Sequence, residues 1–327
     1  MPQPSGKRML GTKISSAPIL GRRALLKSAA ALSSIAGLSW ASSAASADSQ
    51  TDVLDNSEVP ITMKDIPAGR ISFERRGQVV LIGLNRPYIQ NRLDPEAFSG
   101  LARAYYDYDR DPTLRAAVLF GHGQHFSRGI DVDAFKALVG TGKPLIGSSG
   151  AIDPLAKRKP NLTKPLIVAV HGDTWNMADE LFLVADIRIA AANTNFGQDE
   201  NTHGRFPGGG STVRFVREAG WGNAMRYMLT GDHWSAEEAY RMGTVQVIEA
   251  SPQAALDRAI EIANEVAACG PLGIKSTLAS AHLAVDPGEA DALSRLDAQY
   301  GALYHTNDFQ EGRNAEAEGR PPIYHGD

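Results

Sequence analysis

The stretch from Lys164 to Gly210 constrains this chain most: KPLIVAVHGDTWNMADELFLVADIRIAAANTNFGQDENTHGRFPGGG. The apolar run Leu166 to Val170 reads as a buried strand, and His171-Gly172 as a tight turn. A helix near Met177 to Ala185, a second strand Ile187 to Ala191 and a loop carrying acids follow. Strand, helix and strand in that order predict a βαβ-like unit with a buried sheet. Glu180 on the helix and Glu200 in the loop are spaced so that such a layout can aim both at one pocket.

The flanking sequence supports an α/β class. Ile71-Ser72-Phe73-Glu74 and Val79-Val80-Leu81-Ile82 flank Arg75-Arg76-Gly77-Gln78, a hairpin about a glycine turn. Asp94 is placed to cap a helix from Pro95 to Asp109, where Phe98, Leu101, Ala102, Tyr105 and Tyr106 fall at helical spacing. Ala116 to Phe120 is a short apolar strand. Helices are predicted at Thr212 to Glu218 and Gly222 to Thr230, and another after Ser235, with Glu238 completing a capping box. Val245 to Ile248 reads as a strand, and from Pro252 onward the pattern is helical. The expected organisation is a core domain over 70–250 and a C-terminal helical region over 251–327.

The 327 residues and a net charge of -4 are those of an ordinary globular protein and give no hint of a nucleic-acid or membrane-surface partner. Cys269 is the sole cysteine, so an internal disulfide and a cysteine-based metal site are both excluded. At the N-terminus, Arg22-Arg23 precede Leu25-Leu26-Lys27. A weak apolar run from Ser28 to Trp40 and the small-x-small site Ala45-Ser46-Ala47 follow. This leader, 1–47, is similar to a twin-arginine export signal and implies a periplasmic protein, with 48–69 as a linker or N-terminal arm. The apolar run is too short to span a bilayer.

Phe126-Ser127-Arg128-Gly129-Ile130-Asp131, the turn before Met177, Phe196-Gly197-Gln198-Asp199-Glu200 and Gly204-Arg205-Phe206-Pro207-Gly208-Gly209-Gly210 occur in an order that resembles the crotonase superfamily, the enoyl-CoA hydratase/isomerase group. The resemblance covers roughly residues 70 to 325. It implies a crotonase-like spiral of ββα units, with the C-terminal helices used in trimerisation and a homotrimer or hexamer as the assembly. It also implies an oxyanion hole made by the backbone amides of Ile130 and Met177. Glu180 and Glu200 then serve as acid and base, on a coenzyme A thioester or related carbonyl substrate, with no permanently bound cofactor and no metal. By the same resemblance, Glu180 would mainly activate water and Glu200 would give the proton to carbon.

The chain departs from the family in places. Asn176-Met177 replaces a run of glycines, Asp199 stands where proline is common, and Tyr88 replaces a lysine that lies near the nucleotide. Arg86, Tyr88, Arg128, Asp131 and His203 are the candidates for substrate or CoA binding. A second reading is an exported, CoA-independent carbon–carbon hydrolase or lyase of β-diketone type, relying on His203, His171 or His125. A third is a non-catalytic ligand-binding homologue.

Overall fold

The computed structural model describes residues 70–136, 138, 146 and 149–323. The leader and the N-terminal arm lie outside them. Strand β1 (Ile71–Arg76) and strand β2 (Val79–Leu84) form the expected hairpin, with Ile71 opposite Leu84 and Arg76 opposite Val79. Helix α1 (Pro95–Arg110) follows, capped by the Asp94 side chain, which accepts from the amide of Ala97 at 2.8 Å.

Beyond it lie strand β3 (Ala116–Gly121), the short helix α2 (Val132–Phe135), strand β4 (Leu166–Val170), strand β5 (Asp173–Trp175), helix α3 (Met177–Val184) and strand β6 (Ile187–Ala191). Strand β7 (Asn195–Gly197), helices α4 (Ser211–Ala219) and α5 (Trp221–Thr230), strand β8 (Trp234–Ser235), helix α6 (Ala236–Met242) and strand β9 (Val247–Glu249) complete the core. Helices α7 (Pro252–Ala268), α8 (Pro271–Leu303) and α9 (Asn307–Glu318) close the chain. The last strand starts two residues later than its sequence suggests. The amides of Thr244 and Val245 are drawn back to the Ala239 carbonyl, and so extend the end of α6.

The main sheet has the order β1-β2-β3-β4-β6-β9, and every pair after the first hairpin is parallel. Parallel strands are buried on both faces, which is why they read as continuous apolar runs rather than as alternation. The period of two assigns each side chain to a layer. Val79, Leu81, Val118, Ile167 and Ile189 face α7, whose Ala255, Ala259 and Ala263 recur every turn and let the helix lie close. Val80, Ile82, Leu119 and Val168 face the larger cluster, with Phe98, Leu101 and Tyr105 of α1 and Leu181 and Phe182 of α3.

A second sheet of order β5-β7-β8 stands beside the first. Its strands are two or three residues long. Aromatic packing supports it, with Trp234 stacked on Phe196 and on Phe215 at centroid distances of 5.9 and 5.1 Å. The segments leaving the C-terminal ends of β3 and β4 meet at the edge of this sheet, where parallel α/β sheets characteristically expose their ligand-binding crevice.

Candidate active site

Two bends are held side by side by main-chain hydrogen bonds. The Phe126 amide donates to the His171 carbonyl at 2.8 Å, Ser127 to Asp173 at 3.1 Å, and Trp175 back to Ser127 at 3.0 Å. The first bend turns at Gly129, with φ of +83°. A Cβ there would lie 3.0 Å from the Trp175 carbonyl oxygen and 3.4 Å from the Met177 nitrogen, so glycine is what permits the approach. Leu93 donates to the Gly129 carbonyl and accepts from the Asp131 amide, each at 2.8 Å. Backbone amides alternate in direction, so the Ile130 amide between them points to the opposite side.

The second bend turns at Asn176, whose φ of 56° and ψ of -120° are usually left to glycine. Here the side chain fixes the backbone. Its Nδ2 donates to Asp199 Oδ1 at 2.8 Å, and its Oδ1 accepts from the Asp199 amide at 3.0 Å. The Asn176 amide donates to the Gly197 carbonyl at 2.7 Å. The two departures noted in the sequence, Asn176 and Asp199, are therefore hydrogen-bonded partners. Met177 follows as the first residue of α3, where an amide has no acceptor within the helix and shares its positive end.

Ile130, Asn176, Met177, Glu180 and Glu200 all line one cavity of about 640 Å³. Glu180 sits three residues into α3 and is 3% exposed. Its Oε1 accepts from the Gly209 amide at 2.6 Å and the Ser211 amide at 3.4 Å. A Cβ on Gly209 would fall 2.1 Å from Glu180 Oε2, so the glycine-rich loop is shaped around this carboxyl group. Burial raises the Glu180 pKa, and Lys157, the two amides and Arg214 act against the rise.

Glu200 opens a 3-10 turn, Glu200–His203, after β7 and is 5% exposed. Its Oε2 is buried with no hydrogen-bond partner among the described residues. Burial, and then the charge of Glu180, push its pKa well above the ordinary carboxylate value. Burial raises the pKa of both acids, but their hydrogen bonding differs. Glu180 has donors that favour its ionised form, whereas Glu200 has a dry site that favours its neutral form. The neighbouring Asp179, absent from the sequence reading, is buried and hydrogen-bonded to Gln198 Nε2 at 2.8 Å, and burial pushes its pKa up to about 8. Gln198 also reaches the Ser211 hydroxyl at 2.6 Å and so ties β7 to α4.

The binding candidates separate. Arg128 and His203 line the cavity. Arg128 is paired with Asp173 at 2.6 Å and lies over the Trp175 ring at 4.5 Å. His203 Nε2 stands 3.9 Å from Asp199. Arg86, Tyr88 and Asp131 do not line it. Arg86 is buried against Asp94 at 3.1 Å and the Arg92 carbonyl at 2.6 Å, and so pins the connection into α1. Tyr88 Oη meets Arg86 Nε at 3.4 Å. Asp131 caps α2 by accepting from the Ala134 amide at 3.2 Å. Of the three histidines weighed for a hydrolase, His171 and His125 are off the cavity wall. His171 is buried against the Gly123 carbonyl at 2.9 Å, and burial pushes its pKa down to about 4.

The far wall comes from the C-terminal helices. Asp297 and Tyr300 of α8, His305 after it and Glu316 of α9 line the cavity. Lys157 bridges Asp297 at 2.5 Å and the Gly208 carbonyl at 3.3 Å. Among the described residues no group of three or more His, Cys, Asp or Glu is placed to hold a metal ion, and no helix is long and apolar enough to cross a membrane.

Residues 74–327 match the enoyl-CoA hydratase/isomerase family. The chain is 36% identical to enoyl-CoA hydratase EchA19 of Mycobacterium tuberculosis, over 77% of its length and 94% of that protein. It is 32% identical to (E)-benzylidenesuccinyl-CoA hydratase of Thauera aromatica, over 78% and 99%. Among solved structures, a probable enoyl-CoA hydratase/isomerase from Mycobacterium abscessus is 41% identical, with a TM-score of 0.65 covering 79% of this chain and 99% of that one. Carnitinyl-CoA hydratase from Mycobacterium avium is 27% identical, with a TM-score of 0.71 over 80% and 100%. The fold is the α/β crotonase fold, a parallel sheet flanked by helices. The chain belongs to the enoyl-CoA hydratase/isomerase family.

Proposed function

We propose that this chain is an enoyl-CoA hydratase/isomerase-like enzyme that adds water to, or shifts, the double bond of an α,β-unsaturated acyl thioester. One observation carries the reading: two buried carboxyl groups, one held by amide donors and one with an unpartnered oxygen among the described residues, share a cavity with the Ile130 and Met177 bends. In this mechanism the thioester oxygen accepts from the two amides. Ionised Glu180 takes a proton from water while the oxygen of that water bonds to Cβ. The electron pair of the double bond moves through Cα to the carbonyl oxygen, giving an enolate. Neutral Glu200 then protonates Cα, the carbonyl re-forms, and the proton held by Glu180 returns Glu200 to its neutral state through solvent. Preorganised amides stabilise the enolate oxygen more than the ground-state carbonyl, by about 3 kcal/mol per donor in comparable sites.

The test is hydration of crotonyl-CoA, followed by loss of enoyl absorbance. Glu180→Gln and Glu200→Gln should each lower kcat by roughly 10²–10⁴-fold, as removal of a general acid or base does. A wild-type rate in either variant contradicts the assignment. No observation favours the β-diketone reading over this one.

The same proposal includes export by the twin-arginine-like leader and assembly as a homotrimer or hexamer. Exposed Leu272 and Leu283 on α8 support self-association. Sedimentation of the mature chain as a monomer would remove the assembly, and a folded reporter left in the cytoplasm by residues 1–47 would remove the export.

A further inference from the structure

The charges on the cavity wall are nearly all matched. Asp297 is paired with Lys157 at 2.5 Å and with Arg158, Arg128 with Asp173, and Glu316 with Arg313 at 2.9 Å. Glu180 is held by two amides. Arg205 is the buried cation that is not so matched. It lines the same cavity, is 7% exposed, and its Nε is buried without a hydrogen-bond partner among the described residues. Among the described residues its guanidinium has no carboxylate within 4.0 Å, although its charge acts on Glu200 and Tyr300 and its backbone amide donates to the Glu200 carbonyl at 2.9 Å. A guanidinium cannot shed its charge, and desolvating one without a partner is strongly unfavourable. An arginine kept in that condition at a cavity wall marks the place of an anion supplied by the ligand, since its planar fork matches a carboxylate.

We propose that Arg205 recognises a second carboxylate on the acyl group, so that the preferred substrates are dicarboxylic enoyl thioesters. This rests on the reading of the cavity as a thioester site. An acyl carboxylate fits better than a CoA phosphate because Arg205 is bonded through its amide to Glu200 and its charge acts on the Glu200 carboxyl, the group assigned to the reacting carbons. The phosphates are separated from the thioester by the whole pantetheine arm.

The experiment is calorimetric titration of the full chain with two matched pairs of saturated, unreactive analogues: valeryl-CoA against glutaryl-CoA, and hexanoyl-CoA against adipyl-CoA. At least one dicarboxylic thioester should bind about tenfold or more tightly than its neutral partner, as a charge-assisted bidentate pair predicts. Arg205→Met should bring that ratio toward one, and Arg205→Lys should leave it in between. The wild-type ratios stand alone if a variant fails to fold. Equal affinities within both pairs contradict the inference, as does a ratio that survives Arg205→Met. So does equal weakening of both members, which would point to a phosphate, or a shift confined to the pH profile, which would make Arg205 only a tuning group for Glu200. Failure of all four thioesters to bind would instead overturn the thioester reading itself, and this inference with it.

Discussion

The two bends that carry the Ile130 and Met177 amides meet the same demand by different means. At Gly129 the backbone takes φ of +83° because no side chain opposes it. At Asn176 the backbone takes φ of 56° because two hydrogen bonds to Asp199 outweigh the strain, which is of order 1–3 kcal/mol for a non-glycine residue there. The first bend is fixed by packing against Trp175 and Met177, and the second by a polar lock. A missing glycine therefore need not mean a lost turn. It can mean that the turn has acquired a partner elsewhere in the chain, and that partner brings its own chemistry.

Substitutions that exchange these devices test the difference. The largest effect should come from Gly129→Ala. Its Cβ would meet the Trp175 carbonyl at 3.0 Å and the Asn176 Cβ at 3.2 Å, and the positive φ leaves no relief. Turnover of crotonyl-CoA should fall by roughly 10²–10³-fold, the effect of losing one oxyanion donor. Asp199→Ala removes the carboxylate that pairs with Asn176 Nδ2 and His233 but leaves the residue-199 amide bonded to Asn176 Oδ1, and it should destabilise the fold by about 1.5–3 kcal/mol in urea titration, as loss of charge-assisted hydrogen bonds does. Asn176→Gly should be mildest, within about 1 kcal/mol of wild type, because glycine takes the same φ without the lock.

A pH dependence separates the bends further. Burial raises the Asp199 pKa, but hydrogen bonds from His233 and Asn176 outweigh it and hold the carboxyl below its ordinary value. Its stabilisation is therefore fully present above the unfolded pKa of about 3.9 and is lost as pH falls through the lowered folded value. Wild type should lose more stability than Asp199→Asn over that acid range. Parallel pH profiles would show that the charge on Asp199 contributes no measurable stability.

Much of the fold was legible because parallel strands are apolar runs and helices announce their caps. Asp94 and Ser235 cap where the sequence placed them. The three-stranded sheet β5-β7-β8 was not legible, since two or three residues cannot display a period. At the site, Glu180 and Glu200 stood out by spacing, but Gly209 and Ser211 did not. Only their amides hold Glu180, and an amide leaves no mark in side-chain chemistry. Arg86 looked like an anion binder because sequence gives its charge but not its partner, and the partner is Asp94. The Asn176–Asp199 lock was visible as two separate departures 23 residues apart, and only the structure joins them.

In the proposed mechanism the amides at the two bends hold one oxygen while the two glutamates face the carbons beside it. The most direct test is a crystal structure with a saturated acyl-CoA bound. The account predicts the thioester oxygen at about 2.7–3.1 Å from both the Ile130 and the Met177 nitrogens, with Glu180 and Glu200 on the acyl carbons. A thioester oxygen that touches neither nitrogen, or an acyl chain lying away from both carboxyl groups, contradicts it.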